Sequence, residues 1–101
     1  MYVNIINSYR TVITVCDKEL LGKTFEEGNK QLDIKESFYK GEEGKIMATE
    51  EIKKIIQVWA QEDATFNIVG EKSIQLFLQK NIIDKNSVRN INKIPYAMIL
   101  L

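Results

Sequence analysis

Cys16 and Asp17 stand side by side at the end of a β-branched run, with Lys18 and Lys23 nearby in the chain. A thiol close to cations has a lowered pKa and can serve as a nucleophile or redox sensor, with Asp17 or Lys23 as helper. Cysteine is also among the most frequently buried residue types, so Cys16 reads first as a small apolar filler, and Asp17 as a cap. Gly70-Glu71-Lys72-Ser73 follows an apolar run and opens a helical pattern. Free N–H groups at such a point form an anion site. A phosphate-binding loop of the form G-x-x-x-x-G-K-[ST] would need glycine at both leading positions. Here Phe66 and Glu71 stand there, and Glu71 repels phosphate, so no nucleotide site is expected.

Adjacent carboxylates recur at Glu26-Glu27, Glu42-Glu43 and Glu50-Glu51. Such pairs can hold a hard cation or do acid–base work, but in turns and first helical turns, with lysines close by, they read as a solvated surface. Phe38-Tyr39 precedes Lys40-Gly41 and suits either a stacking platform or the closing of a core. The chain has no histidine. This removes Ser-His-Asp and Cys-His catalysis, His-ligated zinc and the usual near-neutral general base. A binding protein is therefore expected ahead of an enzyme, with no cofactor and no metal.

Composition narrows the class further. The 101 residues are 45% hydrophobic and 28% charged, ordinary values for one folded domain spanning 1–101. Basic and acidic residues number 14 each, Lys and Glu are interspersed, and Arg10 and Arg89 are the only arginines. Duplex nucleic-acid binding draws its affinity from concentrated cations, so composition does not indicate it; RNA contact through a local patch is left open. A lone cysteine fits a reducing compartment. The start, Met1-Tyr2-Val3-Asn4-Ile5-Ile6, lacks a signal-peptide pattern, and no apolar run approaches the ~20 residues of a membrane span, so a cytoplasmic location is expected.

The elements that must position these residues follow from periodicity. Tyr2 to Asn7 and Thr11 to Cys16 alternate, with Val3, Ile5, Ile13 and Val15 on one face, and form a hairpin about Ser8-Tyr9-Arg10. Asp17 reads as the N-cap of a single turn stopped by Gly22. Phe25 to Asn29 reads as turn material, Leu32 and Ile34 as a third strand that Phe38-Tyr39 extends or anchors, and Gly41 to Gly44 as a loop. Thr49 caps a helix whose Ile52, Ile55, Ile56 and Trp59 recur at helical spacing. Thr65 to Val69 is a buried strand, and a second helix carries Ile74, Phe77 and Leu78 and fades near Asn81. Val88 to Ile91 and Tyr96 to Leu101 close the chain as strands, with Pro95 at the start of the last. The order β-β-β-α-β-α-β-β predicts an α+β fold with a mostly antiparallel sheet and two main helices.

Four blocks, Cys16 to Lys23, Phe38 to Glu42, Val69 to Ile74 and Pro95-Tyr96-Ala97, together resemble an archaeal family of unknown function, DUF 424. The resemblance spans nearly the whole chain and implies a small stand-alone α+β protein without an assigned activity. The family's late motif usually reads Pro-His-Ala, and Tyr96 replaces that histidine, so His-dependent chemistry is not implied here. The expected role is a non-enzymatic accessory factor of translation or ribosome-linked RNA metabolism, with a ribosome or translation-factor partner. The surface expected to bind comprises Asp17, Glu19, Lys23, Tyr39, Lys40, Gly70, Glu71 and Lys72. The alternatives are a small enzyme or sensor centred on Cys16, and a homodimer formed through Tyr96 to Leu101, an apolar strand that is either core or edge.

Overall fold

The computed structural model describes residues 1–7, 9–42, 44–60 and 62–100. Ser8 of the first turn, Glu43 of the Gly41–Gly44 loop and Leu101 of the last strand lie outside the described residues. Strands β1 (Tyr2–Ile6) and β2 (Val12–Cys16) form the expected antiparallel hairpin, with Val3 opposite Val15 and Ile5 opposite Ile13. Later come β5 (Lys45–Ile46), β6 (Thr65–Val69), β7 (Arg89–Ile91) and β8 (Ile94–Leu100). They assemble one six-stranded sheet in the order β5-β1-β2-β6-β8-β7. Among the described residues only β2 and β6 of this sheet run parallel, and its other pairs are antiparallel. The fold is thus α+β with a mostly antiparallel sheet.

Two helices, α2 (Thr49–Trp59) and α3 (Glu71–Gln79), cover one face. Ile52, Ile56, Ile74 and Phe77 pack there against Val3, Ile13, Val15, Phe66, Ile68 and Ala97. The alternation of strand side chains puts those sheet residues on a single face. Burial of this size is the main driving force of the fold. Phe66 and Phe77 meet edge to face at 5.3 Å. Helix α2 begins at Thr49 rather than after it. The Glu51 carboxylate accepts from the Ala48 N–H at 3.3 Å, and Lys53 reaches Glu50 at 3.2 Å. Helix α3 ends where the sequence predicts, because Asn81 takes φ 58°. The N–H of Asn81 then reaches Leu78 O and that of Ile82 reaches Phe77 O, a Schellman stop.

The other face differs from expectation in its connections. Phe25 lies not in a turn but in β3 (Thr24–Glu27), which pairs with β4 (Lys30–Asp33) about Gly28. Phe25 faces Leu32 across this pair, and both pack inward, so two apolar residues in a polar stretch suffice for a hairpin. Ile34 follows β4, fully buried. Phe38-Tyr39 does not extend a strand: both residues end a helical turn, α1 (Glu36–Tyr39). The short β5, absent from the sequence reading, has too little local pattern to be seen. Together α1, the β3–β4 hairpin and the 3-10 turn Lys18–Leu20 bury Cys16, Leu20, Ile34, Tyr39 and Val69 in a second, smaller core. No helix of the described residues is long and apolar enough to cross a membrane.

Candidate functional site

Parallel pairing of β2 with β6 sets Cys16 beside Val69, so both strands end at the same point. In open sheets with parallel strands, this carboxyl end, facing a helix N-terminus, is where anionic ligands bind. Here the chain fills the position itself. Asp17, only 3% exposed, turns its carboxylate onto the start of α3. Its Oδ2 accepts from the Lys72 N–H at 3.1 Å, and its Oδ1 accepts from the Ser73 N–H at 2.9 Å and the Ser73 hydroxyl at 2.7 Å. Asp17 is therefore a cap, as its type suggests, but of a helix 55 residues away. Its side chain makes no bond within the turn it precedes.

This contact explains Gly70. The residue has φ 108°, and a Cβ there would lie within 3.0 Å of the Asp17 carboxylate. Glycine thus serves a backbone conformation and a close approach rather than a phosphate. Pro95 joins the same node, because its carbonyl accepts from the Gly70 N–H at 2.8 Å. Gly70 O in turn accepts from Ile74 N–H, so no ladder donor is missed at Pro95, the second residue of β8.

Cys16 lies beneath this node with no exposed surface. Burial pushes its thiol up to about 12, and the negative charge of Asp17 adds to the shift. At neutral pH the group is a thiol, which opposes nucleophilic chemistry. Tyr39, also buried, is pushed up to about 12 by burial first and by Cys16 second. Its neighbour Lys40 is half-buried, with Nζ 6.0 Å from the centre of the Tyr2 ring. Of the residues expected to bind, Asp17, Gly70 and Tyr39 are interior, whereas Glu19, Lys23, Glu71 and Lys72 are exposed and Lys40 is partly so.

The structure thus gathers Asp17, Gly70 and Lys72 at one point, with Glu19 on the turn leaving Asp17 and Tyr39 in the core below. Glu71 and Lys72 line a shallow groove of about 450 Å³ with Met1, Thr49, Gln75 and Leu76. Among the described residues, no group of three or more acids or cysteines is placed to hold a metal. Sequence reasoning missed two residues here, Asn4 and Thr14, and the partner of a third, Ser73. Ser73 completes the Asp17 contact, and Asn4 and Thr14 both donate to the Phe38 carbonyl, at 2.9 and 3.2 Å. Polar residues at inward strand positions were the available signal for the last two.

Comparison with known proteins agrees with this architecture. A family model described as "Protein of unknown function (DUF424)" matches residues 6–101. The crystal structure of an uncharacterized conserved protein from Methanopyrus kandleri superposes with a TM-score of 0.74 at 22% identity. That likeness covers 97% of this chain and 88% of the other, and establishes a shared fold. Comparison with curated proteins returns no match.

Proposed function

Since the chain belongs to the DUF424 family, we propose a role from the geometry: a non-enzymatic accessory protein that docks on a component of the translation machinery. The observation that carries this reading is the convergence of the four motif-bearing blocks. Asp17 bonds the start of α3, Pro95 bonds Gly70, and Tyr39 shares a core with Cys16. Exposed Lys18, Glu19, Glu71 and Lys72 belong to the two segments that the Asp17 carboxylate joins. The reactive groups in these blocks are occupied: the carboxylate by three donors, the thiol by burial. What the blocks offer outward is a charged surface of both signs, suited to recognition. Formal neutrality favours a local contact over a long-range field.

Sucrose-gradient sedimentation of the native protein in fresh lysate, with and without ribonuclease, tests the reading. The expected result is migration with a ribosomal subunit, abolished by ribonuclease and by the double reversal Lys18→Glu, Lys72→Glu. Sedimentation as a free small protein in every condition, or a double variant that migrates like the wild type, would overturn it.

A further inference from the structure

The last strand runs from the Asp17 node to the opposite end of the sheet, where, among the described residues, its outer edge has no strand partner. Ile91 pairs with Ile94 across the two-residue turn Asn92-Lys93, and Arg89 pairs with Tyr96. Antiparallel alternation then directs the N–H and C=O groups of Tyr96, Met98 and Leu100 toward β7, and those of Pro95, Ala97 and Ile99 toward β6. The Gly70 bond to Pro95 O agrees with this assignment. Strand β7 begins only at Arg89, because the preceding residues are turned away. Asn86 N–H and Ser87 N–H both point to the Asp84 carboxylate, forming the 3-10 turn Lys85–Ser87. Among the described residues, no backbone bond reaches the outward groups of Met98 and Leu100.

Their side chains are as open as their backbone. Met98 is 65% and Leu100 68% exposed, on the sheet face that α1 and the β3–β4 hairpin leave partly uncovered. Folded proteins usually blunt such an edge with charge, proline or shortness. The other sheet edge follows that rule: β5 has two residues, one a lysine. The segment Met98-Ile99-Leu100 carries none of these devices.

We infer that a second copy of this chain pairs here, β8 to β8, antiparallel about a two-fold axis at Ile99. In that register Met98 lies opposite Leu100 of the second copy, and the reverse. Both residues present outward groups, so each copy's donors meet the other's acceptors with nothing left over. The same register sets Met98 against Leu100 of the second copy as cross-strand apolar pairs on one face. This two-fold register matches every outward donor to an acceptor and each apolar side chain to an apolar one, so a second copy satisfies the edge without any other partner. The pairing is short. Covering the exposed parts of Met98 and Leu100 on both copies, with the joined edges, removes roughly 600–900 Å² in total, below the size of a stable interface. A reversible dimer dissociating at tens of micromolar or above is therefore expected.

Sedimentation equilibrium of the full chain from about 1 µM to about 1 mM tests this. The wild type should shift from monomer toward dimer across that range. Met98→Asp should hold it monomeric, as should Leu100→Pro, which removes only an outward N–H and leaves the bonds to β6. Val58→Asp, an exposed apolar residue on α2, should dimerise like the wild type. Circular dichroism and urea midpoints establish that each variant is folded. A monomer throughout, or a dimer that survives both β8 substitutions, would overturn the inference. Neither outcome bears on the proposed ribosome contact, whose test uses Lys18 and Lys72 at the other end of the sheet.

Discussion

Asp17 bonds more of the chain's buried donors than any other single side chain described here, and its role comes from being unable to find those donors locally. Its own turn leaves the carboxylate unbonded, while α3 begins with N–H groups that need an acceptor. Asp17→Ala would strand the Lys72 and Ser73 N–H groups and the Ser73 hydroxyl in a largely buried place. The expected cost is about 2–4 kcal/mol, read as a lower urea midpoint at unchanged slope. Asp17→Asn keeps an oxygen for Ser73 but turns an amide toward Lys72 N–H, and should cost about half as much. A wild-type midpoint for Asp17→Ala would show that the cap carries no stability. The sequence signalled a cap at 17 and a helix start at 71. It did not signal that one serves the other, because that pairing depends on β2 and β6 running in parallel.

Between elements, the second face is held by few bonds, each bridging distant segments. Asn4 on β1 and Thr14 on β2 are neighbours across the hairpin, and both donate to the end of α1. The approach is tight: a Cβ at Gly41, which has φ 62°, would press on the Asn4 amide. Removing the amide in Asn4→Ala should cost about 1–2 kcal/mol. Amide hydrogen exchange over residues 36–41 should accelerate more than exchange in β1 and β2, since Asn4 bonds directly to the end of α1. Uniform acceleration across the sheet would instead mean that Asn4 supports the whole fold. At the other rim, the Glu27 carboxylate accepts from Asn92 N–H at 3.0 Å and ties the β3–β4 hairpin to the β7–β8 turn. Strong patterns such as the α2 stripe were legible in advance; the β3–β4 hairpin, α1 and β5 were not. These short elements owe their form to what they cover, and local propensity is weak over four residues or fewer.

The whole molecule should respond to alkali through its smaller core. Cys16 and Tyr39 ordinarily lose protons at 9.0 and 10.0, and both are pushed up to about 12 in the fold. The folded state therefore retains protons that the unfolded chain releases above about pH 9. Stability is fully present below that point and falls as pH rises toward 12. Cys16→Ala and Tyr39→Phe should each flatten part of this decline, measured as the urea midpoint from about pH 8 to about pH 10.5. A midpoint that stays flat in the wild type, or declines as steeply in both variants as in the wild type, would contradict the burial argument. Composition, the lack of histidine, the strand-rich order and the helix-side core were determined by the sequence itself, because period and residue type act over adjacent residues. Only the tertiary structure decided that the anion-binding end of α3 is filled from within, that Cys16 is sealed, and that β8 has an open edge. Each of these depends on which strands become neighbours and in what direction, which no local pattern encodes.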